Sequence, residues 1–129
     1  MTPTPEQEQL LRDENLGVFA SLRKDGSPQL TPINYVYRDG TVLISTTKDR
    51  AKYHNVRRNS KASICVVKAP GRPYVTVSGS ARIQEDDIAD ATAEIFRSIY
   101  DRPLPDNFAD VLKDQRRVLI ILTAERFAS

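Results

Sequence analysis

The chain has 129 residues, 40% of them hydrophobic and 28% charged, with a formal net charge of +2. Those values fit one soluble domain spanning 1–129 and give no support to nucleic-acid binding. The single cysteine, Cys65, excludes an intrachain disulfide framework and a cysteine-rich metal site.

No apolar run approaches the ~20 residues of a membrane span. The polar segment 1–9 lacks the apolar core of a signal peptide. A cytoplasmic protein is expected, with no membrane contact.

Thr4-Pro5-Glu6-Gln7 carries the marks of a helix start: a capping threonine, proline at the first helical position, and glutamine completing a capping box. That helix should reach about residue 14, with Gly17 opening the first strand. Strand-like runs at 18–23 and 29–38 flank Lys24-Asp25-Gly26-Ser27, a hairpin signal. Arg38-Asp39-Gly40 turns the chain into a third strand, 41–47. A basic segment, 49–59, reads as a short helix. Strands at 61–68 and 74–84 follow, separated by Ala69-Pro70-Gly71-Arg72-Pro73.

Residues 86–100 predict a longer helix. Ile88, Ala91, Thr92, Ile95, Phe96 and Ile99 fall at helical spacing and form one core-facing stripe. A loop at 101–105, a short helix at 107–114 and a sixth strand at 117–125 complete the chain. Tight hairpins give antiparallel pairing, so the order predicts a mainly β fold: a small six-stranded Greek-key barrel with flanking helices.

The stretch Ile44-Ser45-Thr46-Thr47-Lys48-Asp49-Arg50-Ala51-Lys52 holds the most chemistry. A hydrophobic strand ends in three hydroxyls, and a helix then begins with Asp49 as a reasonable cap. Arg50 and Lys52 fall in its first turn, where exposed cations oppose the helix dipole by roughly 0.3–1 kcal/mol each. A bound anion would reverse that sign, because free N–H groups and both cations would converge on it. Ser45 and Thr47, two apart on a strand, share a face and could donate to the same phosphate. A solvated basic turn is the plainer alternative, and the residues alone leave both open.

Gly26-Ser27-Pro28 before a strand, then Arg50-Ala51-Lys52, Asn55-Val56-Arg57-Arg58-Asn59 and Lys61-Ala62-Ser63, form a wider pattern. It resembles the pyridoxamine 5'-phosphate oxidase-like split-barrel superfamily over about residues 10–127. More narrowly, it is similar to the branch that uses the deazaflavin coenzyme F420. The resemblance implies a cofactor phosphate held by Ser45, Thr46, Thr47, Arg50, Ala51 and Lys52. It also implies that the second strand passes along the cofactor ring at Thr31, Pro32, Ile33 and Asn34. A proline inside a strand forfeits a ladder donor and belongs at an edge or bulge, which agrees with that role. A homodimer with its cofactor sites at the subunit interface is implied as well.

Pyridoxamine phosphate oxidase proper has an arginine and a lysine in its second-strand motif. Here Gln29-Leu30-Thr31-Pro32-Ile33-Asn34-Tyr35 has neither, and the chain has no tryptophan for the oxidase's C-terminal segment. The departures argue against pyridoxamine phosphate oxidation and favour coenzyme F420 over FMN. The expected activity is hydride transfer to a small unsaturated acceptor such as a quinone or tetrapyrrole. An FMN oxidoreductase and a non-catalytic cofactor-binding protein are the alternatives. Lys48, Arg58, Lys61 and Arg72 are candidate partners for the coenzyme's anionic tail.

No side chain is assigned a catalytic role, and no metal is expected. His54 reads as a surface residue, Cys65 as a small buried hydrophobe, and Tyr35, Tyr37 and Tyr74 as packing residues. Glu85-Asp86-Asp87 suits a helix N-terminus. No G-x-G-x-x-G or P-loop pattern is present, so a Rossmann nicotinamide site or a Walker-type nucleotide site is not supported. A bound cofactor would then carry the chemistry, with the protein orienting it.

Overall fold

The computed structural model describes residues 2–129. The chain order is α1 (Pro5–Asp13), β1 (Leu16–Leu22), β2 (Pro28–Arg38), β3 (Thr41–Thr47), α2 (Ala51–Arg58), β4 (Lys61–Val67), β5 (Tyr74–Gln84), α3 (Ala89–Ile99), α4 (Phe108–Asp114) and β6 (Arg117–Ala128). All neighbouring strands pair antiparallel, and the sheet closes in the order β1-β2-β3-β6-β5-β4. The expected six-stranded barrel with flanking helices is therefore the observed fold. None of the helices is long and apolar enough to cross a membrane.

Local chemistry explains the element boundaries. The capping box forms: Gln7 N–H donates to Thr4 Oγ1 at 3.1 Å and Thr4 N–H to Gln7 Oε1 at 2.9 Å. In the β1–β2 hairpin, Asp25 accepts from Ser27 N–H at 3.0 Å, and Gly26 takes a φ of +89°. The β2–β3 hairpin turns on Asp39 and Gly40, both at positive φ, which matches the right-handed twist of the strands.

Two apolar layers share the sheet. Inside the barrel, Phe19, Tyr35, Ile44, Ile64, Val77 and Leu122 are buried, and Leu10 and Leu11 of α1 join them. The Tyr35 hydroxyl donates to Leu11 O at 2.8 Å, tying α1 to β2. Outside, Ile88, Ala91 and Ile95 pack with Leu112 of α4 onto Leu43, Leu119 and Ile121. β3 and β6 are thus buried on both faces, which is why they read as continuous apolar runs.

Several expectations need correction. The basic helix begins at Ala51, not at Asp49, and the long helix spans Ala89–Ile99, with 86–88 outside it. Ile99, at the end of the expected stripe, is exposed. Cys65 lies on the outward face of β4 and is half-buried, because Ala62, Ile64 and Val66 take the inward positions. β6 continues to Ala128, beyond the expected 125.

Candidate functional site

The barrel has a seam between β2 and β3. Their pairing runs only from Arg38↔Thr41 to Tyr35↔Ile44. Beyond it, residues 28–34 pair with β1 alone and residues 45–47 with β6 alone. The two segments singled out from the sequence, 31–34 and 45–47, therefore flank one opening. Pro32 lies where β2 has no partner on the β3 side, the edge location its missing N–H favours.

Side-chain directions separate the residues further. Ile33 joins the barrel core and Pro32 faces outward. Asn34 donates to Asn15 O at 3.0 Å, which holds β2 against the end of α1. Thr31 is half-buried. The segment thus presents a backbone edge with little side-chain chemistry.

At the end of β3, Ser45 and Thr47 are half-buried, whereas Thr46 alternates to the buried side. Thr46 Oγ1 is buried without a hydrogen-bond partner, the one such side-chain oxygen or nitrogen found among the described residues. An unmet buried hydroxyl costs stability, and this one points to the barrel-interior face it shares with Val42 and Ile44, opposite to Ser45 and Thr47. Thr47 donates instead to Asp49. That bond, first among the causes, holds the Asp49 carboxyl below its usual range.

Asp49 consequently does not cap α2. Arg50 occupies the N-cap position, with no side-chain cap bond, and Ala51 and Lys52 begin the helix. A guanidinium has no acceptor to offer, so the first-turn N–H groups lack the usual capping oxygen. The acidic first turn common in helices is also missing here.

Lys52 is half-buried and Arg50 is exposed. Burial, then the charges of Arg50 and Arg117, holds the Lys52 ammonium below the ordinary lysine value of 10.5. Among the described residues, no carboxylate forms an ion pair with Arg50, Lys52 or Arg117, whereas neighbouring Lys48 pairs with Glu85 at 2.9 Å. Arg117, missed in the sequence, arrives through strand pairing: it opens β6 directly across from Thr47. Its only sequence signal is the Arg116-Arg117 pair before an apolar run.

The lowered Lys52 pKa has a testable sign. The unfolded chain holds that proton more tightly, so stability rises with pH between the folded and unfolded values. Tyr35 acts oppositely, because burial raises its phenol pKa and alkali then favours the unfolded chain. Subtracting the urea stability of Lys52→Met from that of the wild type isolates lysine. The difference should climb as pH rises toward the ordinary lysine value of 10.5; a flat line would deny Lys52 its burial.

α2 itself is anchored by a buried amide. Asn55 Nδ2 donates to Ser21 Oγ at 3.1 Å and Gln29 Oε1 at 3.0 Å, and its Oδ1 accepts from Arg58 Nη2 at 2.8 Å. This network ties the helix to β1 and to β2 just before residue 31. Asn55→Ala leaves three partners short of a bond and should lower stability by about 2 kcal/mol. An unchanged urea midpoint would show that the network contributes nothing.

Larger concavities lie away from residues 31–34 and Lys52. One of about 530 Å³ opens on the outer sheet face beside Lys61, Ser63, Ser78 and Arg126. Another of about 490 Å³ lies between the starts of α3 and α4, with Lys48, Arg116 and Arg117 in its wall. The seam is an open surface of the single chain, so shape alone does not mark it. The charge and the unmet hydrogen-bonding groups do.

Among the described residues, no group of three or more His, Cys, Asp or Glu side chains is placed to hold a metal ion. His54 is exposed, and its ring meets Tyr53 edge-on at 5.1 Å. Neither points to catalysis by side chains.

A profile of the pyridoxamine 5'-phosphate oxidase family matches residues 3–129. The chain belongs to that family. Among solved structures of the fold, an F420 reductase is 26% identical, with 98% of each chain covered and a TM-score of 0.80. A conserved hypothetical protein from Mycobacterium tuberculosis is 22% identical, covering 98% of this chain and 83% of its own, at 0.80. A FAD-binding protein from Mesorhizobium loti is 21% identical, covering 99% and 96%, at 0.72. At these identities the last two speak for the oxidase-family fold alone.

Proposed function

We propose that this chain binds the deazaflavin coenzyme F420 through its phosphate and serves as an oxidoreductase for a small unsaturated acceptor. The observation that carries the reading is the gathering of Arg50, Lys52 and Arg117, without carboxylate partners, at the uncapped start of α2 beside an open seam. Three cations and free helix N–H groups are complementary to a phosphoryl anion. Ser45, Thr46 and Thr47 line the strand end, and Ala51 leaves the first helical turn unobstructed. The backbone edge at Thr31, Pro32, Ile33 and Asn34 would border the ring.

Once bound, the coenzyme supplies the hydride chemistry at its ring. The protein's share is to hold the phosphate, fix the ring against β2 and exclude competing groups. No side chain here is assigned a proton.

The similarity to an F420 reductase over 98% of both chains supports the deazaflavin over FMN, as does the lack of arginine and lysine at residues 29–35. The missing tryptophan argues against pyridoxamine phosphate oxidation despite family membership. FMN is the rival ligand, since the FAD-binding protein shares the fold.

The reading also implies a homodimer and a cytoplasmic setting. Leu16, Val18, Leu30, Val67 and Tyr74 are exposed on the outward face of β2, β1, β4 and β5, neighbouring strands that run from the seam edge at β2 around the barrel. A contiguous apolar face of this kind suits a second copy of the chain, which would wall in the open ring site. Light scattering should return twice the 14.5 kDa chain mass; a monomer at micromolar concentration would count against the shared site.

Side-by-side titration with FMN and coenzyme F420 tests the cofactor. Tighter binding of the deazaflavin is expected, whereas stoichiometric FMN carried through purification would favour the rival. Oxidation of the bound reduced coenzyme by quinone, tetrapyrrole or nitroaromatic acceptors then separates an enzyme from a carrier.

A further inference from the structure

We propose that Arg117 is a direct phosphoryl ligand, a third cation brought to the anion site by the first residue of β6. The inference rests on the phosphate reading above and adds a residue outside the strand–helix segment that suggested it.

Arg117 is held as a ligand would be. Its Nη1 donates to Ser45 Oγ at 3.1 Å and its Nε to Gln115 Oε1 at 2.7 Å. Its guanidinium lies 5.1 Å from the centre of the Phe96 ring. Phe96 is fixed in turn by Phe108, edge-on at 5.6 Å. The side chain is therefore oriented by α3, by the turn before β6 and by β3.

No carboxylate lies within ion-pair distance of the Arg117 guanidinium among the described residues. A half-buried guanidinium without a carboxylate is disfavoured, since desolvation weakens its hydration. Asp49, the acidic residue close by, acts on Arg117 only at a distance, its Oδ1 accepting from the Thr47 hydroxyl. Two N–H groups of the guanidinium are used, one at Nε and one at Nη1, out of five. The Nη2 side remains free for the paired contact that guanidinium makes with phosphate.

The backbone brings it to the right place. Arg117 pairs with Thr47, and Lys48 N–H donates to Arg116 O at 3.1 Å. The start of β6 is thus bonded to the turn that leads into Arg50 and Lys52. A purely structural arginine, clamping the turn to β3, would show the same bonds but would not distinguish ligands by their phosphate.

Two ligand pairs make that distinction: coenzyme F420 with its phosphate-free ribityl deazaflavin core, and FMN with riboflavin. Dissociation constants are measured for wild type, Arg117→Gln, Arg117→Lys and Lys52→Ala. Arg117→Gln should weaken the phosphorylated member about 10- to 100-fold, as for a charge-assisted contact, and leave the phosphate-free member unchanged. Its salt dependence should become shallower, because one screened charge is gone. Arg117→Lys should fall between the two, keeping charge but losing the fork.

Equal losses for both members of a pair would assign Arg117 a structural role and overturn the proposal. So would an unchanged constant in Arg117→Gln while Lys52→Ala loses affinity, and the phosphate reading would then survive. If wild type does not prefer the phosphorylated members, the phosphate reading falls and this proposal with it. Should Arg117→Gln not fold, Phe96→Leu removes the shelf and keeps the charge. It must then weaken only the phosphorylated members, and loss of neither or of both overturns the proposal.

Discussion

Gly79→Ala should lower the unfolding free energy by about 3 kcal/mol, the upper end of what overpacking usually costs. A Cβ at this position would sit 1.9 Å from Thr123 O, with Thr123 C and Glu125 N at 3.0 and 3.1 Å. All three are backbone atoms, so no rotamer change relieves the contact. The close approach comes from a bulge. Ser78 pairs with Arg126 and Gly79 with Ala124, leaving Glu125 as the extra residue on β6. The bulge bends β6, the longest strand, so that it pairs with both β3 and β5 around the closed sheet. Urea unfolding of Gly79→Ala beside Ser80→Ala, an exposed neighbour, provides the check. Equal midpoints for the two variants would mean that β5 and β6 do not approach so closely.

Lys52→Ala should weaken coenzyme binding by about 1.5–3 kcal/mol, the range for a hydrogen bond to a charged group. The same change should slightly stabilise the free chain, since the ammonium is half-buried beside Arg50 and Arg117 with no anion to answer it. Opposite signs for binding and stability are characteristic of a charge kept for a ligand. Calorimetric titration and urea unfolding on the same samples read both effects. Unchanged affinity would place the phosphate elsewhere. A marked loss of stability would make Lys52 a structural cation.

Much of the fold was legible because its signals are local. Thr4 and Gln7 announce their helix three residues apart, and Asp39-Gly40 can make only a few kinds of turn. The ends of β3 and β5 fell at the expected residues because glycine, proline or a charged cluster marks them. Asp49 misled for a comparable reason. Its side chain is an excellent cap by type, but the Thr47 hydroxyl two residues earlier captures it, and the helix starts later. Cys65 misled through its neighbours, since Ile64 and Val66 face inward and the residue between them must face out.

The candidate site divides along the same line. Arg50, Lys52 and the hydroxyls of 45–47 lie within eight residues, so their proximity follows from chain connectivity. Arg117 stands 70 residues after Thr47, and only the β3–β6 ladder brings the two opposite each other. Asn55 looked like part of a motif, yet its task is to join α2 to β1 and β2.

By itself, the order of hydrophobic runs and turn residues determined a mainly β barrel with a cationic, hydroxyl-rich corner, because period and turn chemistry act over a few residues. Tertiary structure alone decided where the barrel parts between β2 and β3, which arginine reaches that corner, and which strand face stays uncovered. These depend on pairing between distant segments, where register is chosen by the packing of the whole sheet.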